Sequence, residues 1–169
     1  MPIAASILPE YDQEMATTRK VLERVPGDKF DYKPHEKSMT FGRLAGHVAE
    51  MVGWLEGTMK SDDIDIAPVD GPKFEAFAPT STADLLAAFD KNRDAARAAL
   101  AAGTDEAMMA TWSLKSGGKV IFSMPRIACV RGMILNHIVH HRGQLSVYLR
   151  LNDIPVPSIY GPSADEGQM

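Results

Sequence analysis

Two histidines four residues apart in the last part of the chain have the clearest potential for chemistry. His137 and His141 interrupt a run in which apolar residues recur every three or four positions. On a helix, side chains four residues apart have Cβ atoms about 5 to 6 Å apart, so both imidazoles can bind one ion. Because a buried nitrogen without a partner costs about 1 to 3 kcal/mol, a shared metal ion is one way to stabilise such a pair. The alternative is a solvated pair, or core histidines that donate to backbone carbonyls.

A third histidine has an equivalent inward position in another apolar segment. His47 lies near the middle of that segment, so side-by-side packing of two helices can bring it level with His137 and His141. Three neutral nitrogens with further positions open to water are typical of a catalytic metal site. Zn²⁺ or Ni²⁺ suits such ligands. Spacing also leaves His140, three residues after His137, as a rival ligand or as a solvated histidine at the edge of the site.

Other polar residues have weaker signals. Glu50, one turn after His47, can orient that ring, although a solvated helix glutamate is the more common case and the favoured interpretation. His35 falls in a charged loop and is expected to be exposed. Cys129 lies near the start of a predicted helix, where the helix dipole favours a thiolate, but a lone cysteine is more often a small buried residue.

The elements that must position these residues are four segments with helical periodicity. Periodicity and capping residues predict helices from Ser6 or Pro9 to Leu22, from the capping Thr40 to about Met59, from the capping pair Ser81 and Asp84 to about Ala102, and from Pro125 to about Leu151, followed by Asn152 as a left-handed cap. Ser61 to Thr80 is predicted to be a long connection. Two β-prone pieces, Trp112 to Leu114 and Val120 to Phe122, flank two glycines and indicate a small hairpin. The sequence therefore predicts an all-α bundle with one β-hairpin before its last helix.

Composition limits the class of protein. A chain of 169 residues with 45% hydrophobic and 24% charged residues is typical of one globular domain, here residues 1–169. The net charge of -4 argues against nucleic acid as a partner. A single cysteine excludes an intramolecular disulfide. No export signal and no run of roughly 18 apolar residues is found, so we expect a cytoplasmic protein without a membrane partner.

Three motifs support a family resemblance. They are Leu44-Ala45-Gly46-His47-Val48, the run from Asn136 to Leu145 that reads NHIVHHRGQL, and the ending from Pro157 to Glu166. In these motifs the sequence resembles the DinB family of DinB/YfiT-like metalloenzymes, and their order and spacing agree along the chain. The resemblance implies a four-helix bundle with a long crossover connection, frequent homodimers, and one divalent metal ion bound by His47, His137 and His141. It also favours His141 over His140 as the third ligand.

The resemblance implies several reactions rather than one, since the family includes thiol-dependent transferases, an isomerase that uses a low-molecular-weight thiol, and hydrolases. The leading hypothesis is a metal-dependent enzyme acting on a small molecule, in which the ion activates a water for hydrolysis or a thiol for transfer. His140 or Glu50 is then the proton acceptor, and Arg142 binds an anionic group. The alternative is a non-catalytic metal-binding or stress-response protein whose ion is structural. The apolar ending Ile154 to Tyr160 is expected to pack on its own bundle or on a second subunit.

Overall fold

The computed structural model describes residues 1–72 and 74–167, which are mostly helical with one small sheet. The elements in chain order are α1 (Ile3–Leu22), a 3₁₀ turn (Gly27–Lys29), α2 (Phe41–Lys60), β1 (Asp63–Asp65), α3 (Thr82–Ala101), α4 (Asp105–Met109), β2 (Thr111–Ser116), β3 (Lys119–Pro125), α5 (Arg126–Ala128), a π-helix (Cys129–Leu135) and α6 (Asn136–Leu151). Among the described residues, no helix is both long and apolar enough to cross a membrane.

Helix α2 is the element around which the others pack. Because 13 of its 20 residues are buried, it has little solvated surface and must contact neighbours on most sides. It packs against α3 and α6, and α1 packs against the same two helices. The predicted cap is confirmed: the Thr40 side chain accepts a hydrogen bond from the backbone N–H of Arg43 at 3.1 Å. The predicted cap of α3 is confirmed as well, with the Ser81 hydroxyl accepting from the N–H of Asp84 at 3.0 Å.

The last predicted helix is interrupted. A π-helix from Cys129 to Leu135 separates the short α5 from α6, whereas the periodicity predicts one continuous helix. A π turn contains more residues than an α turn and so rotates the buried face of the helix. Apolar spacing predicts Val130, Ile134, Leu145 and Tyr148 as the inward residues of this helix. Leu135 and Ile138, which are not among them, are consequently buried beside Ile134. His137 and His141 come after the π-helix in the chain and lie in the regular α-helix α6.

The prediction of a simple hairpin must be corrected, because the structure has a mixed sheet of three strands. Strands β2 and β3 are antiparallel, with positive φ angles of 59° at Gly117 and 77° at Gly118 in the turn, and β1 adds to β2 in parallel. β1 lies within the segment predicted as a connection. Its Asp65 carboxylate accepts from the N–H groups of Gly117 at 3.0 Å and Gly118 at 2.7 Å, so a contact distant in sequence forms the strand.

Two helix ends also differ from the prediction. Helix α1 begins at Ile3, with Pro9 inside it, because the Asp105 carboxylate accepts from the Ile3 N–H at 2.7 Å and Ala4 and Ile7 are buried. After α6 the left-handed residue is Asp153, at φ 56°, and not Asn152. The start of α1 is thus set by a contact with a residue distant in sequence, whereas the end of α6 differs from the prediction by one residue.

The C-terminal segment packs on its own helices. Ile154, Val156 and Ile159 are partly buried against the core. The guanidinium of Arg142, only 1% exposed, pairs with the Glu14 carboxylate of α1 at 2.7 Å and donates to the Tyr160 hydroxyl at 2.5 Å. Tyr160 in turn donates to Glu14 at 3.0 Å, so three polar groups join α1, α6 and the C-terminal segment.

Replacing Arg142 by methionine is predicted to destabilise the fold. The change leaves the Glu14 carboxylate, whose side chain is 12% exposed, without its cation, and breaking a buried pair costs about 3 to 5 kcal/mol. The free energy of unfolding from urea titration measures the loss. The control is Arg131→Met, which removes an exposed pair with Glu10 on the same helix α1 and should cost about 0 to 1 kcal/mol. Equal losses in the two variants would contradict a buried network.

Candidate metal centre

Three histidines from two helices converge at one point of the interior. His47 comes from α2, and His137 and His141 come from α6. One ring nitrogen from each lies within 4.8 Å of the other two, and the Nε2 atoms of His137 and His141 are 2.9 Å apart. His47 and His141 are each 9% exposed and His137 is partly buried, so the cluster has only limited contact with water. The structure thus brings together the three residues that the resemblance implied as ligands.

Each imidazole has a second partner that fixes its orientation. The Nδ1 atom of His47 lies 3.3 Å from a Glu50 carboxylate oxygen, and the Nδ1 of His141 lies 2.6 Å from the Gln144 side-chain oxygen. The His137 ring hydrogen bonds to the backbone of Met133, inside the π-helix. Since carboxylate and amide oxygens accept, His47 and His141 carry their proton on Nδ1. Their Nε2 lone pairs are therefore directed away from these partners.

The environment keeps all three rings neutral near pH 7. Burial lowers the pKa of His47, although its bond to Glu50 partly opposes this. Burial and then the neighbouring His47 lower the pKa of His137. For His141, burial again lowers the pKa, the bond to Gln144 opposes it, and His137 adds to the lowering. The neutral imidazole is the form that binds a metal ion.

Glu50 is itself held in place. It is 9% exposed, and its carboxylate accepts from Arg43 at 3.1 Å and from the backbone N–H of Phe77. The segment around Phe77 can cross α2 this closely because residue 46 is glycine: a Cβ there would lie 2.7 Å from the Phe77 carbonyl oxygen. Glu50 therefore lies where an orienting residue for His47 must lie, while its predicted catalytic role stays a prediction.

The remaining predicted site residues lie at the edge of the cluster or away from it. His140 is exposed; its Nε2 lies 3.2 Å from the Gln144 amide nitrogen, and its ring packs edge-on against His141 with centroids 4.8 Å apart, so it borders the cluster. Arg142 faces α1 and the C-terminal segment, where Glu14 and Tyr160 occupy its guanidinium; its predicted anion binding stays a prediction. His35 is exposed, as predicted.

Cys129 is buried beside the cluster and lacks the features of an activated thiol. It is 2% exposed, and burial raises the pKa of the thiol, although a hydrogen bond with Thr58 and the charge of Arg126 oppose the rise. The described contacts therefore favour the small buried residue over the thiolate.

Two pockets reach the cluster from different sides. A cavity of about 520 Å³ includes His47 and His137 in its wall, together with residues of α2, the sheet and the π-helix. A second pocket of about 320 Å³ includes His141, Gln144 and Tyr148. The cluster can thus be approached by one molecule from each side.

Sequence reasoning missed several residues that complete the site. Trp54 packs edge-on against His47 with ring centroids 5.5 Å apart, and it lies seven residues further along the same helical face. Gln144 follows His141 by three residues, a spacing that signals contact on a helix. Phe77 and Met133 contribute backbone groups, for which their residue types give no signal.

Together, the arrangement defines a helical protein with three histidines at a shared point between two helices. The family model described as the DinB superfamily matches residues 10–145, and the chain belongs to this family. The chain is similar to the uncharacterized protein YrdA of Bacillus subtilis (strain 168). The two are 25% identical over 162 residues, which cover 94% of this chain and 89% of the relative.

Solved structures show the same fold. A DinB-like protein from Bacillus cereus ATCC 10987 superimposes with a TM-score of 0.72 at 24% identity, covering 94% of this chain and 98% of its own. The DinB-like protein YjoA from Bacillus subtilis gives a TM-score of 0.67 at 19% identity, covering 90% of this chain and 96% of its own. At these identities the likeness extends to the fold alone.

The Cys129 thiol is predicted to react slowly with iodoacetamide in the folded protein. Its raised pKa keeps the thiolate fraction near neutral pH below that of a free cysteine, and burial blocks the reagent. Mass spectrometry should show modification at least about tenfold slower than in the same protein unfolded in urea. Native modification as fast as in urea would mean that this thiol is exposed and active.

Proposed function

We propose that the protein binds one divalent metal ion, Zn²⁺ or Ni²⁺, through His47, His137 and His141 and uses it as an enzyme acting on a small molecule. The observation that carries the proposal is the 2.9 Å separation of the Nε2 atoms of His137 and His141. With the His141 proton on Nδ1 and the His137 ring bonded to Met133, two lone pairs face each other. Such a contact is repulsive unless a proton or a metal ion lies between the nitrogens, and a metal ion can also reach His47.

The donor set fits such an ion. Nitrogens about 2.0 to 2.1 Å from a common Zn²⁺ lie roughly 2.8 to 3.4 Å apart at ordinary ligand angles, a range that includes the observed 2.9 Å. Glu50 and Gln144 accept from the far nitrogens, which is the arrangement that fixes the tautomer of a metal-binding histidine. With three protein ligands, coordination positions remain for small molecules, as in catalytic sites.

A bound ion supplies Lewis acidity, which favours the deprotonated form of a water or a thiol near neutral pH. The protein residues contribute position and proton transfer. Glu50 holds the His47 ring and is itself held by Arg43. His140, exposed and in contact with Gln144, is the residue we propose as proton acceptor. It is a histidine at the edge of the cluster and is not one of the three proposed metal ligands.

Hydrolysis of a small substrate and transfer of a low-molecular-weight thiol are both compatible with this site. The two pockets on different sides of the cluster favour transfer, because it needs two reactants at one centre.

The packing of α1 and α2 on the same two helices, α3 and α6, supports the proposed four-helix bundle with a long crossover. A homodimer and a cytoplasmic location remain part of the proposal.

Replacing His137 by alanine is predicted to abolish stoichiometric metal binding. The native protein should bind one ion per chain, and the variant should lose at least about 100-fold in affinity, beyond the 10- to 100-fold typical of a residue that only supports a ligand. Elemental analysis and competition with a chromophoric chelator measure this. The matched control is His140→Ala on the same helix, which should keep its ion. Retention of the full ion by His137→Ala would refute the ligand assignment.

Metal removal is predicted to abolish turnover and not only to lower the melting temperature. Activated esters test hydrolysis, and a thiol with an electrophile tests transfer, each before chelation, after chelation and after Zn²⁺ or Ni²⁺ is restored. Activity that disappears and returns with the ion supports the enzyme. If chelation lowers the melting temperature while neither substrate class reacts in the loaded protein, the ion is structural and the enzyme proposal is wrong.

A further inference from the structure

The larger of the two pockets beside the histidines is lined mainly by aromatic and aliphatic side chains. Its aromatic members are Trp54, Phe74, Trp112 and Phe122, and its aliphatic members include Ile64 and Leu114. The sheet contributes β1, β2 and β3 residues to one side, and α2 and the π-helix form the other. The wall reaches His47 and His137, so a molecule in this cavity touches the predicted metal ligands directly.

The wall carries no ionic partner. Among its described members there is no Asp, Glu, Lys or Arg. Apart from the two imidazoles, polar side-chain atoms come from Thr58 and Cys129, which hydrogen bond to each other, and from the indole N–H groups of Trp54 and Trp112. In the metal-free protein, a charged group that leaves water for such a wall gains no counter-ion from it, which is unfavourable. An uncharged apolar group loses little and buries its surface.

The size of the cavity also suits a small molecule. Its volume of about 520 Å³ falls within the range of roughly 300 to 1,000 Å³ found for sites of drug-sized ligands. Four aromatic side chains favour an aromatic ligand, because rings attract one another in stacked and edge-to-face arrangements. Volume, charge and composition therefore point to the same ligand class.

We propose that this cavity binds an uncharged, largely aromatic molecule and so selects the substrate of the site, placing its reacting group at His47 and His137. The reaction rests on the proposed function, whereas binding in the cavity does not require the ion.

Two fluorescent probes that differ by one charged group test the proposal. N-phenyl-1-naphthylamine is uncharged, and 1-anilinonaphthalene-8-sulfonate is the same skeleton with a sulfonate. The chain has two tryptophans, Trp54 and Trp112, and both line the cavity, so energy transfer from tryptophan to a bound probe reports on this location. We expect saturable one-to-one binding of the neutral probe, with quenching of tryptophan emission, and at least tenfold weaker binding of the sulfonate.

Neighbouring residues of β3 supply matched variants. Phe122 lines the cavity, whereas Ile121 is 54% exposed and does not line it. Phe122→Asp should weaken binding of the neutral probe at least tenfold, and Ile121→Asp should leave it within threefold. If Phe122→Asp fails to fold, Ile66→Asp replaces it, since Ile66 lines the cavity and is 44% exposed. Circular dichroism and thermal melting verify folding of each variant.

The outcomes separate this inference from the proposed function. Titrations are run on the protein stripped of metal and again after loading with Zn²⁺. Binding of the neutral probe by the stripped protein, together with failure to bind Zn²⁺, would reject the metal enzyme and keep the cavity assignment. The cavity assignment is overturned if, in the protein stripped of metal, the sulfonate binds as tightly as the neutral probe, if neither saturates, or if Ile121→Asp weakens binding as much as the cavity variant.

Discussion

Burial of three imidazoles between two apolar helices is the constraint on which the rest of the site depends. Each ring has two nitrogens, and a buried nitrogen left without a partner is costly. The far nitrogens of His47 and His141 are satisfied by Glu50 and Gln144, and Glu50 is anchored in turn by Arg43 and the backbone of Phe77. The Nε2 atoms of His137 and His141 face each other at 2.9 Å, and their convergence with His47 defines the candidate metal centre.

Helix α6 serves two buried polar centres at once, because consecutive residues point about 100° apart around a helix. His141 faces His47 on α2, whereas Arg142, the next residue, faces Glu14 and Thr18 on α1. One motif in the sequence therefore contributes both to the candidate site and to the packing of the C-terminal segment through Tyr160. A change in the rotation of α6 would disturb both centres. The preceding π-helix matters because it sets that rotation.

The helices could be predicted because their signals are local. Thr40 and Ser81 cap α2 and α3 where the sequence places them, and apolar spacing identifies the inward positions of His47, His137 and His141. The π-helix was missed because a register change inside an apolar helix leaves no mark in residue type. β1 was missed because its pairing and the bonds from Asp65 to the distant turn exist only in the folded chain.

The sequence by itself determined the chemistry available: three histidines at inward helical positions, a glutamate one turn from His47, and no charge pattern for nucleic acid. Spacing left His140 and His141 as alternatives, and the family resemblance favoured His141. Only the tertiary structure decided which nitrogens meet, since that depends on how α6 is rotated and how closely the Phe77 segment crosses Gly46. It alone also formed the cavity, whose walls come from segments far apart in the chain and cannot be read from any local pattern.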